Sequence, residues 1–133
     1  MKLRRILSNQ LPLIFWAASI FLLSSIQRFP VSHTPVGFDK VAHFILFFVF
    51  CGLGWRAFFH QSASRSLKRW ALLCAFIVSV VYGALDEFHQ LFVPSRQADI
   101  FDLAADSLGA LGYVLWHRFR SRGAAPAEDE PAA

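Results

Sequence analysis

The chain has 133 residues, of which 56% are hydrophobic, and its formal net charge is +4. A soluble domain of this length rarely carries so much apolar sequence in long runs, so we expect a membrane protein with one compact domain. The positive charge does not indicate a nucleic-acid partner, because the basic residues lie at the ends of apolar runs and form no stripe between polar segments.

Four apolar runs predict helical membrane spans at about 6–26, 41–59, 70–88 and 100–117, close to the roughly 17–25 residues that a bilayer requires. The first run follows basic residues, as in a secretory signal peptide, but its small-residue cleavage pattern is poor, so an uncleaved span is favoured. The Ala/Pro-rich segment 121–133 is expected to be disordered and dispensable. The predicted fold is all-α, with a transmembrane domain at 1–120 that forms a bundle of four antiparallel transmembrane helices.

Lysine and arginine are distributed unevenly between the two ends of these spans. All but three of the thirteen fall on one side, and the exceptions are Arg28, Lys40 and Arg96. The side rich in these residues faces the cytoplasm, so both termini are predicted to be cytoplasmic. Trp55, Trp70 and Trp116 fall at the predicted inner boundary, where an aromatic belt is expected.

The acidic residues outside the tail gather at the opposite, outer end of the predicted helices. They come from three separate segments, yet the topology places them at one membrane depth with two histidines, a glutamine and two cations. The set comprises Asp39, Lys40, His43, Asp86, Glu87, His89, Gln90, Arg96, Asp99, Asp102 and Asp106. Because ionisable residues within spans are usually functional, we predict that these residues bind a ligand in an extracytoplasmic polar pocket.

The fourth span carries three of these acids on one face. Asp99, Asp102 and Asp106 follow an i, i+3, i+7 pattern, which predicts one stripe with Asp106 about 10 Å deeper than Asp99. A carboxylate at that depth costs at least about 2.5 kcal/mol if it faces lipid, so it should point into the bundle. Gly109 and Gly112 lie beside it and should let a neighbouring helix approach closely.

The six acids exceed the nearby cations, so either some are protonated or a cation lies among them. This excess is compatible with a divalent cation, a bound amine or a proton-sharing network. One set for a divalent cation is Glu87 with His89 and Asp102. Histidine with carboxylates suits Zn, Mn or Fe, whereas carboxylates with water suit Mg or Ca.

Structural roles explain several of the same residues. Asp39 near a helix N-terminus is favoured by the helix dipole, while His43, four residues later, would bond a neighbouring helix. Arg96 has two alternatives: to hold a phosphate or carboxylate ligand, or to pair with Asp99 or Asp102 and fix the short loop. The second alternative is favoured.

The order and spacing of these residues resemble the VanZ-like family of small bacterial membrane proteins. The matching pieces are Asp39-Lys40-x-x-His43-Phe44, Tyr82 through Asp86-Glu87-x-His89-Gln90, Phe92-Val93-Pro94-x-Arg96, and Asp99-x-x-Asp102-Leu-Ala-Ala-Asp106-Ser-Leu-Gly109. The chain departs from the family at Ser95, where Gly is usual, and at Asp106, where Asn is frequent. The resemblance implies a multi-pass protein of the bacterial cytoplasmic membrane, in a family whose name member is associated with teicoplanin resistance.

Two functional hypotheses follow. In the first, the protein is not demonstrably catalytic and its pocket binds an envelope head group or lipid-linked ligand. In the second, it is a membrane hydrolase or transferase on a lipid-linked or peptidoglycan-related substrate. The catalytic candidates are then His43, Glu87 and Asp102, with Lys40 and Arg96 neutralising developing negative charge. A transporter ranks last, since the sequence lacks inverted repeats. A homo-oligomer is compatible with four short spans.

Overall fold

The computed structural model describes residues 2–26, 37–94 and 96–123, and within these ranges all regular structure is helical. The helices are α1 (Lys2–Ser25), α2 (Phe38–His60), α3 (Arg65–Arg69), α4 (Ala71–Gln90) and α5 (Ile100–Gly123). The predicted all-α class is therefore confirmed. Most of the predicted outer loop with Arg28, the family departure at Ser95, and the tail from 124 onward lie outside the described residues.

The four long helices coincide with the four predicted spans, with small differences at their ends. Helix α5 continues to Gly123, which is three residues into the segment expected to be disordered. The sequence prediction contains no helix at α3, which lies in the predicted inner loop. The Ser64 hydroxyl caps α3 by accepting the Leu67 N–H at 3.2 Å, a local interaction that hydrophobic periodicity does not reveal.

Three segments of the described chain are long and apolar enough to cross a membrane: Leu7–Ser25, Phe38–His60 and Ala71–Gln90. Helix α5, predicted as the fourth span, is less apolar because it contains acids near its start and basic residues in its last turn. Large apolar side chains on the first segment, such as Phe15 and Leu22, face outwards. Exposed apolar surface of this kind is typical of contact with lipid.

Helix α2 lies at the centre and contacts each of the other helices. It is in backbone contact with α5 at Gly109, where an added Cβ atom would lie 2.9 Å from the carbonyl carbon of Phe44. The predicted close approach at this glycine is thus confirmed. Cys51 is buried and unpaired beside Ala75 and Ala110, so it serves as a packing residue.

Polar tips of aromatic side chains attach α1 to its neighbours. The indole N–H of Trp16 donates to the Leu46 carbonyl oxygen on α2 at 3.0 Å, and the Tyr82 hydroxyl on α4 donates to the Ala17 carbonyl oxygen at 2.7 Å. These bonds fix α1 beside α2 and α4, and they bring its C-terminal turn to the residues described next.

Candidate functional site

The C-terminal ends of α1 and α4 meet the N-terminal ends of α2 and α5, and we call this region the polar end. Six polar or charged side chains are buried there, although their sequence positions span more than eighty residues. They are Ser24, Asp86, Glu87, Gln90, Asp102 and Asp106. Five of the six, all except Ser24, are residues that the sequence predicts to bind a ligand. These five side chains lie inside the protein and do not face lipid.

Lys40 connects the start of α2 to the start of α5. Its ammonium group donates to Asp99 and to Asp102, and it lies 3.6 Å from a carboxylate oxygen of Asp39. Asp102 is only 5% exposed, so Lys40 compensates a carboxylate that water barely reaches.

Asp99 lies before α5 and caps it. Its carboxylate oxygen Oδ1 accepts the backbone N–H of Phe101 at 2.8 Å, which is the geometry of an N-cap. Asp99 thus stands at the N-cap of the predicted stripe, one residue before α5, and Asp102 and Asp106 are both buried on α5. The hydrogen bond from Lys40, helped by that from Phe101, lowers the pKa of Asp99 below its usual range, so Asp99 is ionised at neutral pH.

A second group joins α2, α4 and α5 at greater depth. The His43 Nδ1 atom lies 2.9 Å from Asp106 Oδ1, and His43 Nε2 lies 3.9 Å from Asp102 Oδ2. Glu87 Oε2 accepts the backbone N–H of Asp99 at 2.8 Å. His43 thus bonds a neighbouring helix, as the structural alternative predicts. One donor atom each from His43, Glu87 and Asp106 lie within 4.8 Å of one another, so these three residues could hold a metal ion.

The remaining acid of α4 is bonded to α1. The Ser24 hydroxyl donates to Asp86 Oδ1 at 2.6 Å, and the Gln90 amide donates to Asp86 Oδ2 at 3.1 Å. His89 lies on the same side, with Nε2 3.0 Å from the Ser25 hydroxyl oxygen. The predicted metal set that includes His89 is therefore corrected, because this ring faces α1 while His43 faces Glu87.

Arg96 holds the turn between α4 and α5 against the end of α1. Its guanidinium group donates to the carbonyl oxygens of Leu23 at 3.1 Å and Ile26 at 3.3 Å. Carbonyl groups at a helix C-terminus lack intrahelical partners and carry partial negative charge, which an arginine satisfies. The favoured structural role of Arg96 is thus observed, but through carbonyl groups, while Asp99 and Asp102 bond to Lys40.

Two cavities lie among these side chains. The inner cavity is about 100 Å³ and includes Ser24, His43 and Asp86 in its wall. The second is an open cavity of about 450 Å³, and its lining consists of Asp39, Gln90, Arg96, Gln97, Ala98, Asp99 and Asp102. Gln90 and Arg96 line both cavities, so the two are adjacent. Carboxylates dominate the open one, which favours a ligand with amine or hydroxyl donors.

Sequence reasoning missed the contribution of α1 to this site. Ser24 and Ser25 bond Asp86 and His89, yet they stand in an apolar run and belong to no motif. The sequence signal that could have revealed them is that two adjacent hydroxyl residues lie at the same predicted membrane depth as the acids. Gly83 was also missed; a Cβ atom there would lie 2.9 Å from Asp106 Oδ2, so this glycine makes room for the buried carboxylate.

The residues of the polar end fall within the part of the chain that matches a known family. The model of the VanZ/LLP1 family matches residues 3–120, which is nearly the whole chain. The chain belongs to the VanZ/LLP1 family. The resemblance found from the residue pattern is therefore confirmed, and with its apolar helices this VanZ/LLP1 chain is a membrane protein.

A similar protein occurs in a eukaryote. An uncharacterized protein of the fission yeast Schizosaccharomyces pombe is 34% identical over 96 residues, which cover 68% of this chain and 55% of the yeast protein. The VanZ/LLP1 chain thus spans about half the length of this curated relative. No solved structure matches the chain.

Proposed function

We propose that this VanZ/LLP1 chain crosses the bacterial cytoplasmic membrane four times and binds an envelope head group at its extracytoplasmic polar end. The fourth crossing is helix α5. Its acids Asp102 and Asp106 are buried against other helices, whereas Phe101, Leu108 and Leu115 are exposed. The outward surface of α5 is therefore apolar along much of its length, as a lipid-facing helix requires.

The direction of the helices supports cytoplasmic termini. The end of the bundle opposite the polar end carries Trp55 and Trp116, and the Arg120 guanidinium carbon lies 5.5 Å from the ring centre of Trp116. Arginine with tryptophan at one boundary is the pattern expected at the cytoplasmic interface. An antiparallel bundle with this orientation puts the polar end outside.

The open polar cavity carries the proposal of ligand binding. It combines three carboxylates with two amides and the Arg96 guanidinium, at the level where head groups meet the protein. Such a lining suits a head group that offers amine or hydroxyl donors together with an anionic group. A role in the envelope, including the response to teicoplanin, would follow from sequestering or shielding such a group.

The enzyme hypothesis has weaker support. His43 is held by Asp106, and Glu87 accepts a backbone N–H, so both predicted bases already have structural bonds. Neither residue is in the wall of the open cavity. The third candidate, Asp102, does line it, but its carboxylate is bonded to Lys40. We therefore retain the binding function and assign no reaction.

The binding function is tested in a teicoplanin-susceptible bacterium that has no related gene of its own. Cells that express the wild-type chain should survive higher teicoplanin concentrations or differ in envelope permeability from cells with an empty vector. Asp39→Asn, Arg96→Ala and Gln97→Ala should each return that phenotype to the empty-vector level, because each removes a polar group that lines the open cavity. Lys68→Ala, at the opposite end, is the control. Wild-type behaviour of all three variants at equal expression would refute the proposal.

The orientation is tested by cysteine labelling in a chain with Cys51→Ser and Cys74→Ser. Gln97→Cys lies in the exposed turn at the polar end, and Ser62→Cys lies in the exposed loop between α2 and α3. In intact cells a membrane-impermeant maleimide should label the first variant and not the second, and permeabilised cells should show labelling of both. The opposite pattern would place the polar end in the cytoplasm.

A further inference from the structure

Two carboxylate oxygens at the polar end are buried and have no hydrogen-bond partner among the described residues: Glu87 Oε1 and Asp106 Oδ2. Asp106 is completely inaccessible and Glu87 is 6% exposed. The other oxygen of each group is already bonded, Glu87 Oε2 to the Asp99 N–H and Asp106 Oδ1 to His43. An unpartnered carboxylate oxygen away from water is costly, so a proton or a cation must compensate it.

The nearest fixed cation does not fill this role. Lys40 donates to Asp99 and Asp102, which leaves Glu87 and Asp106 as two further negative groups. A single divalent ion would compensate both charges at once. The alternative is a proton, either shared between the two acids or carried by His43 beside Asp106, and it differs from a metal in an observable way because it needs no added ion.

The arrangement of donor atoms fits a small ion. One atom each from His43, Glu87 and Asp106 lie within 4.8 Å of one another. Ligand bonds of about 2.0–2.2 Å at tetrahedral angles separate two ligand atoms by about 3.3–3.6 Å, so the donor atoms would close in by up to about an ångström around the ion. The three residues come from α2, α4 and α5, and each is held by the packing of a long helix.

We propose that His43, Glu87 and Asp106 bind one divalent transition-metal ion. Imidazole with two carboxylates favours Mn²⁺, Fe²⁺ or Zn²⁺ over Ca²⁺ and Mg²⁺, which prefer oxygen ligands throughout. With three protein ligands the ion keeps at least one position for water, and His43 also lines the inner cavity. The ion links three helices at a depth where their carboxylates would otherwise be uncompensated. This site is independent of the head group proposed above.

The test uses the full chain purified in detergent, stripped with a chelator and dialysed against Mn²⁺ or Zn²⁺. Elemental analysis should find one ion per wild-type chain, and electron paramagnetic resonance should follow the binding of Mn²⁺. Glu87→Gln and Asp106→Asn should each weaken binding by at least the ten- to hundredfold that loss of an outer-shell partner costs a metal site. The matched control is Asp86→Asn, which is equally buried at 5% exposure but has both carboxylate oxygens bonded. It should bind like the wild type.

A wild-type chain that takes up no ion at millimolar Mn²⁺ and Zn²⁺ would overturn the proposal in favour of the proton. Equal binding by the wild type, Glu87→Gln and Asp106→Asn would overturn it too, because the ion would then lie elsewhere. Circular dichroism and gel filtration show whether a variant has folded. If one variant fails to fold, the metal binding of the other variant is compared with that of the wild type. No lipid-linked ligand is present, so a negative result leaves the head-group proposal standing.

Discussion

Replacing Lys40 with methionine is expected to lower the free energy of unfolding by about 3 kcal/mol, because it leaves Asp102 buried without its cation. Removing one partner of a buried ion pair costs about 3–5 kcal/mol, and the low end applies since the Lys40 side chain is 31% exposed. Methionine keeps most of the aliphatic stem, so the loss reports the ammonium group and its bonds to Asp99 and Asp102.

Reversible unfolding of the purified chain in mixed micelles measures this change. The control is Lys68→Met, since Lys68 is exposed and its ammonium lies 4.9 Å from the Phe59 ring centre, a contact worth about 0.5–1 kcal/mol. The double variant Lys40→Met with Asp102→Leu should recover part of the stability, because the uncompensated carboxylate is then absent. If Lys40→Met and Lys68→Met lose the same stability, Lys40 does not compensate a buried charge.

Replacing Gly109 with alanine is expected to destabilise the contact between α2 and α5 by about 2 kcal/mol. The added methyl group would lie 2.9 Å from the Phe44 carbonyl carbon and 3.1 Å from its Cα atom, so the backbone of α2 must move. Overpacking of this kind costs about 1–3 kcal/mol. The better helix propensity of alanine offsets about 0.5–1 kcal/mol of this cost. Because the clash is with backbone atoms, we expect the cost to lie at the upper end of the range, which leaves the net loss stated above.

The matched control is Gly123→Ala on the same helix, where a Cβ atom would meet nothing within 4 Å. This variant should keep or slightly increase the stability of the wild type. The melting temperature in detergent distinguishes the two, and a Gly109→Ala chain as stable as Gly123→Ala would show that α2 and α5 are not in close backbone contact.

The long helices and their common polar end follow from the sequence because the physical causes are local. A run of apolar residues fixes the length of a helix, and alternation of direction brings the acids of the second, third and fourth runs to one level. Asp86, Glu87, Asp102 and Asp106 are indeed buried together. The family motif contains the same four residues, because only certain polar groups can be buried at this depth in the membrane.

The partners within the polar end could not be predicted, because they depend on how each helix is rotated about its axis. His43 and Asp106 are 63 residues apart, and only the packed bundle shows that this histidine, and not His89, faces Glu87. The spacing placed Asp99 on the stripe of α5, but its bond to the Phe101 N–H makes it the N-cap residue, and the helix begins one residue later. Such a cap is decided by a single hydrogen bond.

The polar attachments of α1 have a consequence for how this helix finds its place. Trp16, Ala17, Ser24 and Leu23 are bonded at successive heights, to α2, α4 and the turn that carries Arg96. A shift of α1 by one residue would turn it by about 100° and move it by about 1.5 Å. Neighbouring carbonyl oxygens would then take the places of those of Ala17 and Leu23, but the Trp16 indole would lose its acceptor on α2. Contact with lipid does not by itself distinguish one register of an apolar helix from another. The few polar side-chain bonds of α1 therefore select its register and its rotation in the bundle.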